Sequence, residues 1–196
     1  MNPGWNMNNV WVIVLASAIV YGVLAVVMGV IPGIAMSHIA PTPGLKPLTA
    51  QEQRGRAVYV SEGCAYCHSQ VVRPLKQDAV YGRPSVAGDY AYDTPELLSD
   101  HRNGPDLSNI GARQPSVVWQ YIHLWNPRAL VHASIMPRYT WLFAVKAAAA
   151  GDVQVPVPPG YGPANGVVVA RPAAQDLVAY LESLKQAPLT RAKGAK

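Results

Sequence analysis

The chain has 196 residues, a length that allows one or two domains. Half of the residues are hydrophobic, 14% are charged, and the formal net charge is +5. The Lys and Arg residues are scattered and form no basic helix, which excludes a nucleic-acid-binding surface. The first charged residue is Lys46, so the chain divides into an apolar head and a polar, Pro- and Gly-rich body that carries all of the charge.

The head predicts a membrane anchor over residues 1–38. Residues 11–35 carry no charge, and a helix of about 25 residues spans roughly 38 Å, enough for the ~30 Å hydrocarbon core. Pro32-Gly33 marks its expected exit. Three aromatic residues are expected at the membrane interface: Trp5, Trp11 and Tyr21. A cleaved signal peptide is the alternative, but the head lacks the basic start and small-residue cleavage site of such peptides.

The body begins with a linker and a helix. Residues 39–48 contain three prolines and a glycine and predict an extended linker. Thr49 followed by Glu52 is typical of a capping box, which predicts a helix over residues 50–61.

This helix leads into Cys64-Ala65-Tyr66-Cys67-His68, the C-x-x-C-H pattern of c-type haem attachment. Two thiols at this spacing can each add to one haem vinyl group, and the next histidine can bind the iron. We therefore predict one covalent haem c, tethered by Cys64 and Cys67, with His68 as proximal ligand. A redox dithiol or half of a zinc site are alternatives. A zinc site needs a second ligand pair, however, and the chain has only 2 cysteines.

The haem motif also decides the expected orientation. Haem c is attached on the outer side of the bacterial inner membrane, so we expect residues 49–188 to form a periplasmic monohaem domain, followed by a basic tail, residues 189–196. The positive charge of the body alone favours the cytoplasm, but large domains translocate largely regardless of charge. Three residues of the preceding helix are expected near the haem edge: Ala57, Val58 and Val60.

A long loop and a turn follow the motif. Residues 74–100 show no sustained periodicity and predict a loop, which at this length usually has a function or a partner. After it, Gly104-Pro105 resembles the turn that in cytochromes c sets a proline carbonyl against the proximal histidine. We expect Pro105 to contact His68 in this way and to fix its ring and tautomer. An ordinary turn is the alternative.

The next segment offers the second axial ligand. Residues 114–126 have the spacing of a middle helix, and Met136 lies in a proline-stiffened loop after it. Met136 is the only methionine of the body. His/Met ligation raises the haem potential and suits electron transfer, so we predict Met136 as the distal ligand. A gap-filling core methionine is the alternative. Three histidines are rivals for the position: His101, His123 and His132.

The C-terminal part predicts one more helix. Residues 147–166 are rich in Ala, Gly, Pro and Val and predict a long loop. Residues 172–186 carry an apolar stripe after Pro172 and predict a helix that crosses the first one and closes the haem crevice. The fold class is therefore mainly α: a single N-terminal transmembrane helix plus a class I cytochrome c-like domain with long loop insertions.

Several segments resemble the monohaem subunit of cbb3-type cytochrome c oxidases, known as CcoO or FixO. The most specific is the Cys-His-Ser-Gln-x-x-Arg-Pro extension of the haem motif. The segments that carry the resemblance, in order from about residue 49 to 142, are residues 63–74, 81–82 with 85–89 and 92–93, 104–107, 126–128, 134–137 and 141–142.

The resemblance implies an electron-transfer subunit without catalytic residues of its own. It implies a catalytic haem b/copper membrane subunit as partner, another c-type cytochrome as electron donor, and oxygen reduction coupled to proton pumping. The long loop is then a docking surface. Because arginine suits bidentate carboxylate binding, four residues are further candidates for contacts with haem propionates or a partner: Arg73, Tyr81, Arg83 and Arg102.

Two other functions stay open at this point. One is a free-standing, membrane-anchored cytochrome c that shuttles electrons between respiratory complexes. The other is a haem sensor or peroxidase with a vacant iron position, against which Met136 argues because it would fill that position.

Overall fold

The computed structural model describes residues 9–188. The chain forms two compact units that divide between Ala40 and Pro41. Residues 41–48 of the predicted linker are therefore grouped with the second unit. Trp5 and the predicted basic tail lie outside the described residues.

A single helix makes up most of the first unit. Its three parts are α1 (Val10–Ala25), a π-helical turn (Val26–Val30) and α2 (Ile31–Ser37). The whole is long and apolar enough to cross a membrane. The helix continues through Pro32 and Gly33 to Ser37. The π turn lies directly before Pro32, where the missing amide hydrogen and the ring of proline disturb the α-helical pattern one turn earlier.

The second unit begins its helical framework with α3 (Ala50–Ser61). Glu52 donates its amide to Thr49 Oγ1 at 3.3 Å, and the Thr49 amide donates to Glu52 Oε2 at 2.7 Å. These bonds satisfy amide groups that no helical carbonyl reaches. The predicted helix and its capping box are both confirmed.

The C-terminal helix α6 (Pro172–Ser183) packs across α3 at close range. Gly55 is buried at the crossing, where a side chain would overlap the main-chain carbonyl of Asp176. Next to it, the rings of Tyr59 and Tyr180 pack edge to face with centroids 5.5 Å apart. The missing side chain at residue 55 therefore sets how closely the two helices approach.

Two shorter helices complete the helical part, α4 (Ile110–Arg113) and α5 (Val117–Trp125). The predicted middle helix corresponds to α5, which starts after Ser116, whose hydroxyl accepts a hydrogen bond from the Trp119 amide at 3.2 Å. Five of its side chains are buried: Gln120, Tyr121, Ile122, Leu124 and Trp125. The described residues are thus mainly helical, as predicted.

A small antiparallel sheet follows α5. Its strands are β1 (Phe143–Lys146), β2 (Gln154–Val155) and β3 (Val167–Ala170), in the order β1-β3-β2. The prediction of an unbroken loop over residues 147–166 is therefore wrong at β2. Strands of 4, 2 and 4 residues are too short to show a period of two in the sequence.

Residues 74–100 form the predicted long loop, with two short 3₁₀ turns, Lys76–Asp78 and Ala87–Tyr90. Polar contacts tie it to the rest of the unit. Asp89 accepts a hydrogen bond from Thr42 Oγ1 at 2.8 Å, and the Gln70 amide donates to the Leu98 carbonyl at 2.8 Å. Within the loop, Asp89 forms an ion pair with Arg83 at 2.6 Å.

Candidate haem site

The haem motif follows α3 directly. Glu62 caps the helix, and Gly63 takes a left-handed φ of 70°, which glycine adopts without strain. The chain then enters a short 3₁₀ turn, Cys64–Tyr66. The His68 amide donates to the Cys64 carbonyl at 3.0 Å, and both residues line the same cavity.

This cavity brings together several of the predicted site residues. Cys64, His68, Pro105 and Met136 all line it. Most of its remaining wall is aliphatic or aromatic and includes Tyr59, Leu107, Ile110, Trp119, Leu124, Leu177 and Leu181. Cys67 is not among the lining residues, and its Sγ lies 3.9 Å from Asn103 Nδ2. The helices α3, α5 and α6 thus enclose a largely apolar site, and the two cysteines do not form a disulfide with each other.

These residues fit a covalently bound haem. Burial raises the pKa of the Cys64 thiol to about 12, so its protonated form is favoured, unlike the thiolate of a redox dithiol. The walls suit an apolar macrocycle. His123 lies on one of them, and its buried Nδ1 has no hydrogen-bond partner among residues 9–188, as expected of a polar atom at a site for a bound group.

The proximal side is arranged around the His68 ring. His68 Nδ1 lies 2.8 Å from the carbonyl oxygen of Pro105, the contact expected from the Gly-Pro turn. A carbonyl only accepts, so Nδ1 carries the hydrogen and Nε2 is left to bind a metal. Burial lowers the pKa of His68, which favours the neutral ring that metals bind. A side chain at Gly104 would overlap this ring, so only glycine leaves it room.

The four candidates for propionate or partner contacts lie outside the cavity wall. Arg73 and Arg102 both bind the buried carboxylate of Asp78, at 3.0 and 2.6 Å. Arg83 pairs with Asp89 in the long loop. The Arg102 guanidinium carbon lies over the Tyr81 ring, 5.5 Å from the centroid of that ring. Each arginine thus has a carboxylate partner within the chain.

Met136, the predicted distal ligand, lies in a loop that follows α5. Met136 is partly buried and packs against the core. Arg128 Nη1 donates to the carbonyl oxygens of Ser134 and Met136, at 2.9 and 3.2 Å. One arginine thus holds the backbone of the loop at the position of the predicted ligand.

Only one of the three rival histidines lines the cavity. His101 and His132 are exposed, beside Asp100 and Tyr161 respectively. His123 lines the cavity and stacks on Trp119 with ring centroids 4.5 Å apart. Burial lowers its pKa to about 4, so the ring is neutral at physiological pH. Of the four residues considered for the distal position, Met136 and His123 line the cavity.

The expected haem-edge residues of α3 need a correction. Ala57 and Val60 are exposed to solvent, and Val58 packs against the core. The cavity is instead lined by Tyr59, which is fully buried one helical turn after Gly55. Gly55 and Tyr59, four positions apart, mark the buried face of α3. Because glycine has no side chain, a pattern of hydrophobic residues does not reveal this face.

Comparison with protein families matches residues 5–154, more than half of the chain, to the family described as cytochrome C oxidase, mono-heme subunit/FixO. The match includes the haem motif, the Gly-Pro turn, α5 and Met136. A search of curated proteins found no match. The family accounts for the mainly helical, cytochrome c-like domain and implies one haem c, and the apolar N-terminal helix fits a membrane anchor. The chain belongs to the FixO family and is a membrane-anchored, mono-haem subunit of a cbb3-type cytochrome c oxidase.

Proposed function

We propose that this subunit relays electrons from another c-type cytochrome to the catalytic haem b/copper subunit, where oxygen is reduced and protons are pumped. The observation that carries the proposal is the cavity on which Cys64, His68 and Met136 meet. Its apolar walls exclude water, as a one-electron carrier of raised potential requires. The described residues offer no pair of acid and base at the cavity that would suggest separate chemistry.

Each site residue would have a defined role in this proposal. Cys64 and Cys67 would hold the haem covalently, and the haem would supply one-electron transfer. His68 would bind the iron through Nε2, while Pro105 fixes the His68 ring through Nδ1. Met136 would be the second iron ligand, through its thioether. Propionate or partner contacts for Arg73, Tyr81, Arg83 and Arg102 stay a prediction.

Purification tests the assignment to an electron relay. Gentle solubilisation of the membrane and capture of the tagged chain should recover a large haem-b subunit in stoichiometric amount. A pyridine haemochrome spectrum should show both haem c and haem b, and a donor cytochrome c should reduce the captured complex. A lone monohaem protein with full electron-transfer activity would support a free-standing shuttle instead.

We further propose that the second unit lies on the periplasmic side, because covalent attachment of haem c takes place there. Protease added to intact spheroplasts should cleave the second unit and release haem-bearing peptides. Protection of the haem domain until the membrane is broken would contradict this orientation.

A further inference from the structure

Two stretches of backbone run side by side behind the proximal histidine. The Gly104 amide donates to the Cys67 carbonyl and the Leu107 amide to the Ser69 carbonyl, both at 2.9 Å. These bonds join the two residues next to His68 to Gly104 and Leu107, which flank the pair Pro105-Asp106. The donor ring and its acceptor carbonyl thus belong to one hydrogen-bonded pair of segments.

Asp106 connects the same two segments through its side chain. It is fully buried, and its Oδ2 accepts hydrogen bonds from Ser69 Oγ at 2.6 Å and from the Val71 amide at 2.9 Å. Its Oδ1 accepts from the Ser108 amide at 2.9 Å. A buried carboxylate is stable only when such donors replace its water shell. These bonds therefore hold Asp106 in one position.

Arg102 supplies the opposite charge and strengthens the same connection. Its Nη2 lies 3.5 Å from Asp106 Oδ2 and 2.6 Å from the Val71 carbonyl oxygen, and its Nε donates to Ser69 Oγ at 2.8 Å. The guanidinium thus binds both the carboxylate and the segment that follows His68.

The position of Asp106 decides where the Pro105 carbonyl points. That carbonyl belongs to the peptide group between Pro105 and Asp106, and a peptide group is planar. The proline ring fixes φ of Pro105, so ψ is the remaining freedom of this peptide group. Anchoring Asp106 removes that freedom.

We propose that Asp106 is a positioning residue, which sets the hydrogen bond from His68 Nδ1 to Pro105 and through it the donor strength of the proximal ligand. The inference rests on the proposed ligation by His68. A hydrogen bond at Nδ1 makes an imidazole a stronger ligand, and a stronger ligand stabilises the oxidised iron. Loss of the Asp106 contacts therefore weakens the bond and raises the reduction potential.

Two variants separate the contacts of Asp106 from its charge. Asp106→Asn removes the charge and places an amide NH2 group where one of the carboxylate oxygens accepts a hydrogen bond. Ser69→Ala keeps the charge of Asp106 and removes the hydrogen bond from Ser69 to Asp106, together with the one that Ser69 Oγ accepts from Arg102. Both are compared as haem-loaded full-length chains in detergent, with the iron reduced. The readouts are solvent exchange of the His68 Nδ1 proton by NMR and the reduction potential. We expect exchange to accelerate about tenfold in either variant, the effect of losing one net hydrogen bond.

Asp89→Asn is the matched control, because Asp89 is an ion-paired carboxylate of the same unit, bound to Arg83 and Thr42 instead of these segments. It should leave the exchange of the His68 proton unchanged. If Asp106→Asn fails to retain haem, Ser69→Ala still decides.

The possible failures are distinguishable. Wild-type exchange in both test variants, or equal acceleration in the control, would overturn the role of Asp106. A His68 ring without the ring-current shifts of a bound haem would instead overturn the ligation on which the proposal rests.

Discussion

The two sides of the cavity are built differently. On the proximal side, two chain segments and a buried carboxylate surround His68 with hydrogen bonds to its neighbours on both sides and to its own ring. On the distal side, Met136 is held by packing and by one arginine that binds carbonyl oxygens of its loop.

The difference shows where positional precision comes from. Hydrogen bonds are directional and fix the orientation of an imidazole ring, whose tautomer decides which nitrogen is free. A thioether has three rotatable bonds and needs only a suitable gap. We therefore expect the proximal side to be preformed and the distal side to adjust to the bound group.

Removing both tethers should have the largest effect. In Cys64→Ala/Cys67→Ala the haem has no thiol to bind, so no covalent haem should remain with the chain on a denaturing gel stained for haem. Tyr66→Ala is the control within the same motif, since Tyr66 is 80% exposed, and it should retain haem. Covalent haem in the double variant would exclude the motif as the attachment site.

Met136→Ala tests the distal side. The truncation should open the iron to carbon monoxide and lower the reduction potential. It should cost less than the about 2–5 kcal/mol of a fully buried Met→Ala substitution, because Met136 is only partly buried. Difference spectra of the reduced protein and a redox titration measure these effects. His123→Ala should bind no carbon monoxide. The reverse pattern would make His123 the ligand.

Gly104→Ala tests how rigid the proximal side is. The added methyl overlaps the His68 ring, and we expect a loss of about 1–3 kcal/mol in the free energy of unfolding together with a changed low-spin EPR spectrum. At Gly162 the same methyl finds an ordinary contact at 3.9 Å with Val157, so Gly162→Ala should change neither. An unchanged spectrum in Gly104→Ala would show that the proximal side adjusts as well.

A smaller, pH-dependent effect is expected at Asp78. Hydrogen bonding by Arg73 and Arg102 holds the pKa of this carboxylate well below its usual range. A lowered pKa in the folded state adds stability that is complete above the ordinary value of about 3.9 and is lost as the pH falls through the folded-state pKa. Asp78→Asn should therefore destabilise the protein at pH about 7, and the difference should shrink below pH about 4.

Urea unfolding of both proteins across this range measures the difference. Asp100→Asn is the control, because the Asp100 side chain is 93% exposed, and it should unfold like the wild type throughout. A difference between Asp78→Asn and wild type that does not depend on pH would assign the effect to shape instead of charge.

Local patterns were sufficient for part of this structure. The capping box at Thr49, the stripe of α6 and the haem motif each depend on residues close in sequence, and each predicts its element well. The carboxylate of Asp106 gave no such signal, because its partners Ser69 and Val71 lie more than thirty positions earlier. Short strands such as β2 and the contact beneath Gly55 likewise exist only through distant pairing.

The π turn in the apolar helix has a consequence for any helix that packs beside it. Each residue of an α-helix advances the direction of its side chain by about 100°, and a π turn contains one residue more than an α turn. In an unbroken α-helix, Gly22 and Gly29, seven positions apart, lie on the same side. The extra residue of a π turn between them changes this. Gly29 lies within the π turn, Val26–Val30. A neighbouring helix that packs along the Gly22 side therefore meets, beyond the turn, residues one position further along the sequence than in a regular α-helix.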